Sequence, residues 1–282
     1  MPTADVNGIT INYLLEGEGE QTVVLINGLA DDLLSWDFQV PALLAAGLRV
    51  LRFDNRGIGA SDKPEGAYTS RLLADDAKAL VDHLGITGFH LLGVSMGGMI
   101  VQTMAIEHPE RVLTLTSIMS NTGAQRIGRP ALSTWRRMAT ARPPRNRAEA
   151  IEGALRIFRH IGSHGYPFDE DRVRERAGVA WDRDPTSDGV ARQLAGIFAA
   201  GDRTVELGEI DVPTLVIHGD RDRMVHPTGG AATARAIPGA RLVTITGMGH
   251  DLPFGAWGRL LELIADHAAT VSGPPTTIEE RA

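Results

Sequence analysis

The sequence predicts an α/β fold whose central sheet is mostly parallel, and three observations lead to this prediction. Short runs rich in valine, isoleucine and leucine recur along the chain, and glycine, aspartate or proline bounds each of them. Stretches with apolar residues at helical spacing lie between most of these runs. The alternation stops between residues 120 and 205 and then resumes. Continuous apolar runs suit strands that are covered on both faces, and their alternation with helices is typical of a parallel sheet.

The strand candidates begin near the N-terminus. Residues 6–14 read as an antiparallel strand or a hairpin, with Asn7-Gly8, a favoured two-residue turn, as its turn. The later apolar runs are a few residues long, as expected of buried strands. They cover residues 23–26, 48–53, 90–94, 112–117, 213–218 and 241–246.

Helices are predicted between these strands. One apolar stripe ends at Leu84, and Gly85 follows where a helix C-cap is expected. The segment after Ser95 stays apolar until Pro109 stops it. Another apolar stripe covers residues 257–268. Helices therefore fill the connections that a parallel sheet needs.

The domain organisation follows from the interruption of this rhythm. Residues 120–205 contain helical stripes but no clear strand, so the simplest explanation is a helical insertion. We expect residues 1–119 and 206–270 to form the α/β core and residues 120–205 to form a helical cap. The last segment, 271–282, is polar and contains proline, which is typical of a loose tail.

The composition limits the partners and the location. The net charge is −7, whereas a nucleic-acid-binding protein is expected to be basic. There is no cysteine, and therefore no disulfide and no thiolate nucleophile or metal ligand. No stretch approaches the ~18 apolar residues of a membrane span, and the first residues lack the segments of a signal peptide. We expect a cytoplasmic protein that binds neither nucleic acid nor membrane; the sequence leaves the oligomeric state open.

Ser95 stands in the segment HLLGVSMGGMI, where a predicted strand meets a predicted helix. Gly93 and Gly97 flank it in a G-x-S-x-G pattern. A sharp turn from strand to helix forces strained backbone angles and leaves no room for side chains two positions away, which accounts for the glycines. The turn exposes the hydroxyl at a helix N-terminus, where the backbone N–H of Met96 can stabilise a developing oxyanion.

A serine hydroxyl becomes a nucleophile at neutral pH only with a base, usually a histidine that an acid orients. Among nine histidines, His250 is the candidate, because its segment TGMGHDLP follows the last predicted strand. Open α/β sheets collect catalytic groups at that end of their strands. The loop after the preceding strand, HGDRDRMV, offers Asp220 and Asp222, and either fits by position. The order serine, aspartate, histidine agrees with one known class of triad.

Segments along the whole chain match a known family. They are INGLADD, RFDNRGIGAS, GVSMGG, VIHGDRDRMV and GMGHDLP. In these segments the chain resembles the α/β-hydrolase superfamily, with a weaker similarity to aclacinomycin methylesterase-like hydrolases. The resemblance implies helices on both faces of the sheet and an inserted helical cap. It also implies that Asp222, the second aspartate of an HGxxDxxV-type motif, is the triad acid, with Asp220 ranked second.

The resemblance implies further roles in the early loops. The backbone N–H of Leu29, together with that of Met96, is expected to form the oxyanion hole. Many relatives have His-Gly where this chain has Asn27-Gly28, so the role of that histidine side chain does not transfer. The matching residues Asp54, Arg56 and Gly57 are interpreted as structural.

Together these residues predict a serine hydrolase that cleaves a carboxylic ester through an acyl-enzyme, without cofactor or metal. The substrate is expected to be a small molecule, such as a methyl ester or lactone of a bulky compound. Two alternatives stay open: use of the same residues for C–C bond hydrolysis or cofactor-free perhydrolysis, and a role of the fold as a non-catalytic small-molecule receptor. Four aromatic residues of the cap could line a pocket or pack the cap on itself; they are Trp135, Phe158, Trp181 and Phe198.

Overall fold

An eight-stranded sheet forms the centre of the computed structural model, which describes residues 1–186 and 188–271. The strands are β1 Thr3–Val6, β2 Ile9–Glu16, β3 Gln21–Ile26, β4 Leu48–Phe53, β5 Phe89–Val94, β6 Val112–Ile118, β7 Thr214–Gly219 and β8 Arg241–Ile245. Their spatial order is β1-β2-β4-β3-β5-β6-β7-β8. β2 pairs antiparallel with β1 and β4, and the other neighbours run parallel. The predicted mostly parallel sheet is confirmed.

Helices cover both faces of this sheet, as predicted. The α-helices of the described residues are α1 Val40–Ala45, α2 Ser70–His83, α3 Met96–Glu107, α4 Leu132–Thr140, α5 Arg147–Ile161, α6 Glu170–Arg183, α7 Asp188–Ala199, α8 Thr228–Ala236 and α9 Trp257–Ala268. α2 and α3 bury apolar residues such as Leu80 on one face, whereas α1 and α9 bury residues such as Leu43 on the other. Because strand side chains alternate between faces, the adjacent Leu91 and Leu92 of β5 contribute to the two separate cores.

Local signals in the sequence account for the element ends. The turn between β1 and β2 places Asn7 and Gly8 at φ values of 47° and 73°, as this type of hairpin turn requires. Helix α2 begins where the Thr69 hydroxyl accepts a hydrogen bond from the Leu72 N–H at 3.2 Å. It ends before Gly85, whose φ is 66°.

Helices α4 to α7 lie between β6 and β7 in the chain, and we call them the helical insert. Arginines of α6 join the insert to the rest of the fold. Arg176 and Arg183 donate to the carboxylate of Asp32 at 2.7 and 2.9 Å. Arg183 also donates to Asp54 at 2.7 Å. Both carboxylates are almost fully buried, and removing Arg183 would leave the charge of Asp54 uncompensated, so these contacts anchor α6 to the rest of the fold.

The segment after β4 has the structural role that the sequence indicates. Asp54 accepts hydrogen bonds from the backbone N–H of Leu33 at 2.8 Å and of Ala60 at 3.0 Å. The Arg56 guanidinium donates to both carboxylate oxygens of Asp76 at 2.7 and 2.6 Å. The bond from Leu33 holds the loop after β3, which approaches Ser95, and the pair of Arg56 with Asp76 joins this segment to α2.

The segment 271–282, predicted to be a loose tail, lies outside the described residues except for Val271. The carbonyl oxygen of Val271 accepts a hydrogen bond from Gln21 Nε2 at 3.1 Å. Within the described residues no helix has the length and apolar character needed to span a membrane.

Candidate active site

Ser95 occupies the tight turn between β5 and α3. Its φ of 54° and ψ of −115° lie in a region that residues other than glycine rarely adopt. A Cβ atom on Gly93 would lie 2.2 Å from the carbonyl oxygen of Gly97, and one on Gly97 would lie 2.1 Å from that of Ile26. Only glycine fits at either position. The turn therefore has the strain and the crowding that the G-x-S-x-G pattern predicts.

Ser95, His250 and Asp222 form a continuous chain of hydrogen-bonding contacts. His250 Nε2 lies 2.9 Å from Ser95 Oγ, and His250 Nδ1 lies 2.7 Å from Asp222 Oδ2. The three residues follow β5, β7 and β8, which run parallel and so end at one edge of the sheet. This shared edge explains how residues 155 positions apart in the sequence come into contact.

The structure separates the two aspartates that the sequence offers as the acid. Asp222 turns one carboxylate oxygen, Oδ2, towards His250, while its Oδ1 accepts from the backbone N–H of Met224 and Val225, both at 2.8 Å. Asp220 points elsewhere and accepts from the Gly247 N–H at 2.7 Å. Only Asp222 therefore orients the imidazole directly.

His218 supports Asp222 from the end of β7. Its Nε2 lies 2.9 Å from the carbonyl oxygen of Val225 and 3.4 Å from Asp222 Oδ2. Because a carbonyl oxygen only accepts hydrogen bonds, Nε2 carries the proton. The residue is buried and does not contact Ser95, which agrees with a structural role at the strand end.

Burial and neighbouring charges act in opposite directions on the pKa values of Asp222 and His250. Burial raises the pKa of Asp222, but the charge of His250 and the contacts from His218 and His250 outweigh it and hold this pKa well below its usual range. Burial lowers the pKa of His250, but the charge and hydrogen bond of Asp222, with the charges of Asp251 and Asp31, raise it above the usual value. Asp222 is therefore a carboxylate at neutral pH, and the imidazole is a stronger base than a free one.

This ionisation fixes the direction of the hydrogen bonds when His250 is neutral. A carboxylate only accepts, so His250 Nδ1 carries the proton and donates it to Asp222. Nε2 is then unprotonated and can accept the hydroxyl proton of Ser95. The arrangement is the one that general-base activation of a serine requires.

The loop after β3 brings backbone donors beside Ser95. A methyl group placed on Gly28 would lie 3.5 Å from Ser95 Cβ, so Leu29 follows at the edge of the site. Within residues 1–186 and 188–271, the N–H groups of Leu29 and Met96 have no acceptor. Unpaired N–H groups next to a nucleophile are suited to stabilise negative charge.

Asn27 turns its side chain away from this site. Its Nδ2 donates to the main-chain carbonyl oxygen of Phe53 at 3.2 Å, and its main-chain carbonyl oxygen accepts from Asn55 Nδ2 at 3.3 Å. The residue is 1% exposed. Asn27 therefore ties the ends of β3 and β4 together.

Two carboxyl groups near His250 were not singled out by the sequence analysis. Asp31 Oδ2 lies 3.3 Å from the same methyl position on Gly28 that is close to Ser95. Burial raises the pKa of Asp31 to about 6, against the opposing charge of Arg176. Burial also raises the pKa of Asp251, whose carboxylate accepts from the hydroxyl of Ser163. Their positions in INGLADD and GMGHDLP were the only available signals.

One group of possible metal ligands lies away from this site. Among the described residues, ligand atoms of Asp75, Glu107 and His108 lie within 4.8 Å of one another. Glu107 is already paired with the guanidinium of Arg71. Exposed acidic groups often lie close together without an ion, so this group adds nothing to the candidate active site.

The aromatic residues of the insert partly pack on one another. The rings of Trp135 and Phe198 stack with centroids 6.0 Å apart, which joins α4 to α7. Both remain exposed, Phe198 by 62%. For this pair, packing within the insert is the better description.

Known proteins match the chain over most of its length. A family model described as alpha/beta hydrolase fold matches residues 21–255. The rhodomycin D methylesterase of Streptomyces peucetius is 31% identical, over 96% of this chain and 100% of that protein. The 2-hydroxy-6-oxononadienedioate/2-hydroxy-6-oxononatrienedioate hydrolase of Cupriavidus pinatubonensis is 30% identical, over 83% of this chain and 82% of that protein.

Solved structures agree with these matches. The crystal structure of the enol-lactonase from Burkholderia xenovorans has a TM-score of 0.80 and 30% sequence identity. It covers 95% of this chain and 100% of the lactonase chain.

Proposed function

The chain belongs to the α/β-hydrolase family, and from this premise we propose that it hydrolyses a carboxylic ester of a small molecule through an acyl-enzyme on Ser95. The observation that carries the proposal is the contact of 2.9 Å between His250 Nε2 and Ser95 Oγ, with Asp222 2.7 Å behind the imidazole. A nucleophile, a base in contact with it and an acid that orients the base constitute the machinery of acyl transfer.

In the acylation step, Ser95 Oγ attacks the ester carbonyl carbon while His250 Nε2 takes the hydroxyl proton. The carboxylate of Asp222 stabilises the resulting imidazolium and keeps the ring in place. The N–H groups of Leu29 and Met96 stabilise the negative charge on the former carbonyl oxygen. His250 then transfers its proton to the leaving alcohol oxygen, and the ester C–O bond breaks.

In the deacylation step, a water molecule replaces the alcohol. His250 takes a proton from this water while the water oxygen attacks the acyl carbon. The bond to Ser95 Oγ breaks, and His250 returns the proton to the serine. The products are a carboxylic acid and the regenerated enzyme, so the cycle needs no cofactor or metal.

For the substrate, we propose a methyl ester or lactone of a bulky small molecule. The full-length similarity to a rhodomycin D methylesterase and to an enol-lactonase supports this choice. We further propose that residues 120–205 act as a cap over the site, since α6 is held against the core beside the loop that carries Leu29.

A second candidate is cleavage of a C–C bond by the same residues, favoured by the similarity to the hydrolase of Cupriavidus pinatubonensis. That protein is named for substrates with two carboxylate groups. The carboxyl group of Asp31 beside Ser95 would repel such a dianion at neutral pH, so we rank this candidate below ester hydrolysis.

The test is a panel of p-nitrophenyl and methyl esters of increasing acyl size, lactones and a vinylogous diketone, with Ser95→Ala as the blank. We expect ester or lactone turnover that Ser95→Ala lowers by about 10⁴-fold or more. A fluorophosphonate probe should label the wild-type protein and not the variant. Near-full activity of Ser95→Ala, or a wild-type protein that neither turns over an ester nor is labelled, would falsify the proposal.

A further inference from the structure

The loop that carries His250 is fastened to the helical insert. The segment between α5 and α6 runs alongside it, and the His250 N–H donates to the carbonyl oxygen of Ile161 at 2.8 Å. The Gly165 N–H donates to the carbonyl oxygen of Gly247 at 2.9 Å. The two segments approach so closely that a Cβ atom on Gly249 would lie 2.3 Å from the carbonyl oxygen of Gly162.

One side chain of this segment bonds to both neighbours of His250. Ser163 Oγ accepts a hydrogen bond from the Gly249 N–H at 2.8 Å and donates its own proton to the carboxylate of Asp251. The serine is half-buried, and its two hydrogen bonds go to residues 249 and 251. Its hydroxyl thus fixes the backbone before the histidine and the side chain after it.

A second insert side chain holds the loop that carries Leu29. Gln193 of α7 is 0% exposed. Its Oε1 accepts from the Ala30 N–H at 3.2 Å, and its Nε2 donates to the carbonyl oxygen of Arg56 at 3.2 Å. Ala30 has a φ of 67°, which is costly for a residue with a Cβ and persists only where the surroundings enforce it.

We propose that Ser163 and Gln193 are positioning residues, through which the helical insert holds the His250 loop and the Leu29 loop in their reactive geometry. The inference rests on the proposed function. Neither side chain reaches the reacting atoms, and both act through backbone that leads to them. Displacements of about 1 Å at such groups cost about 10²-fold in rate, so the insert is part of the catalytic scaffold besides covering the substrate.

The experiment measures kcat, KM and the rate of fluorophosphonate labelling for Ser163→Ala and Gln193→Leu. Both are expected to lower kcat by about 10²-fold with a smaller change in KM, because the loops shape the transition state. Ser163→Ala should also slow labelling, since the base is displaced. As a control, Thr140→Ala should match the wild type. It removes an exposed hydroxyl of the insert that donates to the main-chain carbonyl oxygens of Arg136 and Arg137.

Matched pairs separate positioning from folding. Ser163→Thr and Ser163→Val have nearly the same volume and differ in the hydroxyl, so the threonine variant should retain activity that the valine variant loses. Gln193→Met has nearly the volume of glutamine but makes neither hydrogen bond, so it should lose kcat as Gln193→Leu does while keeping a melting temperature that shows it folds. Equal activity of Ser163→Thr and Ser163→Val, or wild-type kcat in a folded Gln193→Met, overturns the inference, even if Ser163→Ala fails to fold.

Wild-type protein and Ser95→Ala are measured in the same series. An inactive and unlabelled wild type contradicts the proposed function and this inference with it. An active wild type with unchanged kcat in Ser163→Ala and Gln193→Leu contradicts the inference alone.

Discussion

Asp222→Asn is the substitution whose effect the geometry defines best. Asp222 Oδ1 accepts from two backbone N–H groups, those of Met224 and Val225 at 2.8 Å each. An asparagine keeps both bonds only if its carbonyl oxygen takes the place of Oδ1. Its NH₂ group must then face His250 Nδ1, 2.7 Å away in the native pair.

The expected loss follows from this orientation. An NH₂ group only donates, so His250 Nδ1 must lose its proton and Nε2 must carry it. The imidazole then presents N–H to Ser95 Oγ and cannot accept the hydroxyl proton. Loss of the correct tautomer with the geometry intact lowers kcat by about 10⁴-fold, which corresponds to about 5.5 kcal/mol of transition-state stabilisation.

The assay compares kcat/KM and fluorophosphonate labelling of Asp222→Asn with those of Asp220→Asn. Asp220 lies in the same loop, but its carboxylate accepts from the Gly247 N–H at 2.7 Å, a bond that an amide oxygen can keep, and its pairing with the exposed Arg221 is loose, at 3.7 Å. We expect near-native kinetics for this control and a melting temperature close to native for both variants. An Asp222→Asn protein within tenfold of the wild type, or an equal loss in both variants, would refute the reasoning.

Two further substitutions, the second with a control, test charged groups in and beyond the site. Asp31→Asn removes a carboxylate that raises the pKa of His250. Because His250 must be neutral to act as a base, the acidic limb of the kcat/KM–pH profile should move to lower pH. An unmoved limb would contradict this expectation. Arg183→Met leaves the buried carboxylate of Asp54 without its ionic partner and should reduce the free energy of unfolding by up to about 3–5 kcal/mol in urea titrations. Arg147→Met breaks the exposed pair with Asp182 and should change the free energy of unfolding by at most about 1 kcal/mol. Equal effects of Arg183→Met and Arg147→Met would argue against the anchoring role of Arg183.

The fold was predictable because its central strands are buried on both faces. All six residues of β5, Phe89–Val94, are buried, so the sequence shows an unbroken apolar run that periodicity detects directly. The edge strand β8 is mostly exposed, with Leu242 at 40%. Its short run of apolar and β-branched residues between glycine-bearing turns still indicated a strand.

The candidate site was predictable in part. Ser95 could be recognised because the crowding at the turn admits only glycine at positions 93 and 97, which leaves a pattern in the sequence. The choice between Asp220 and Asp222 could not be made from position, since both lie in one loop after β7. It depends on how that loop turns, which the backbone bonds to Met224 and Val225 determine.

The contacts made by Asp31, Ser163 and Gln193 leave no comparable trace. Each arises between segments that are distant in sequence, such as Gln193 and Ala30, which are 163 positions apart. A single polar residue with one distant partner produces neither periodicity nor a fixed spacing. Such contacts depend on tertiary packing, and the sequence alone does not specify them.

Sequence identity does not distinguish the reactions of the relatives, because the methylesterase, the dioate hydrolase and the enol-lactonase are 31, 30 and 30% identical to this chain. The charge beside Ser95 is a better discriminator. A Cβ atom placed on Gly28 would lie 3.3 Å from Asp31 Oδ2 and 3.5 Å from Ser95 Cβ, so the carboxyl group and the serine are close neighbours. Arg176, whose charge lowers the pKa of Asp31, is itself bound to Asp32 at 2.7 Å. An anionic group near the scissile bond therefore meets a carboxylate, whereas an uncharged methyl ester or lactone does not, and this favours the ester reaction.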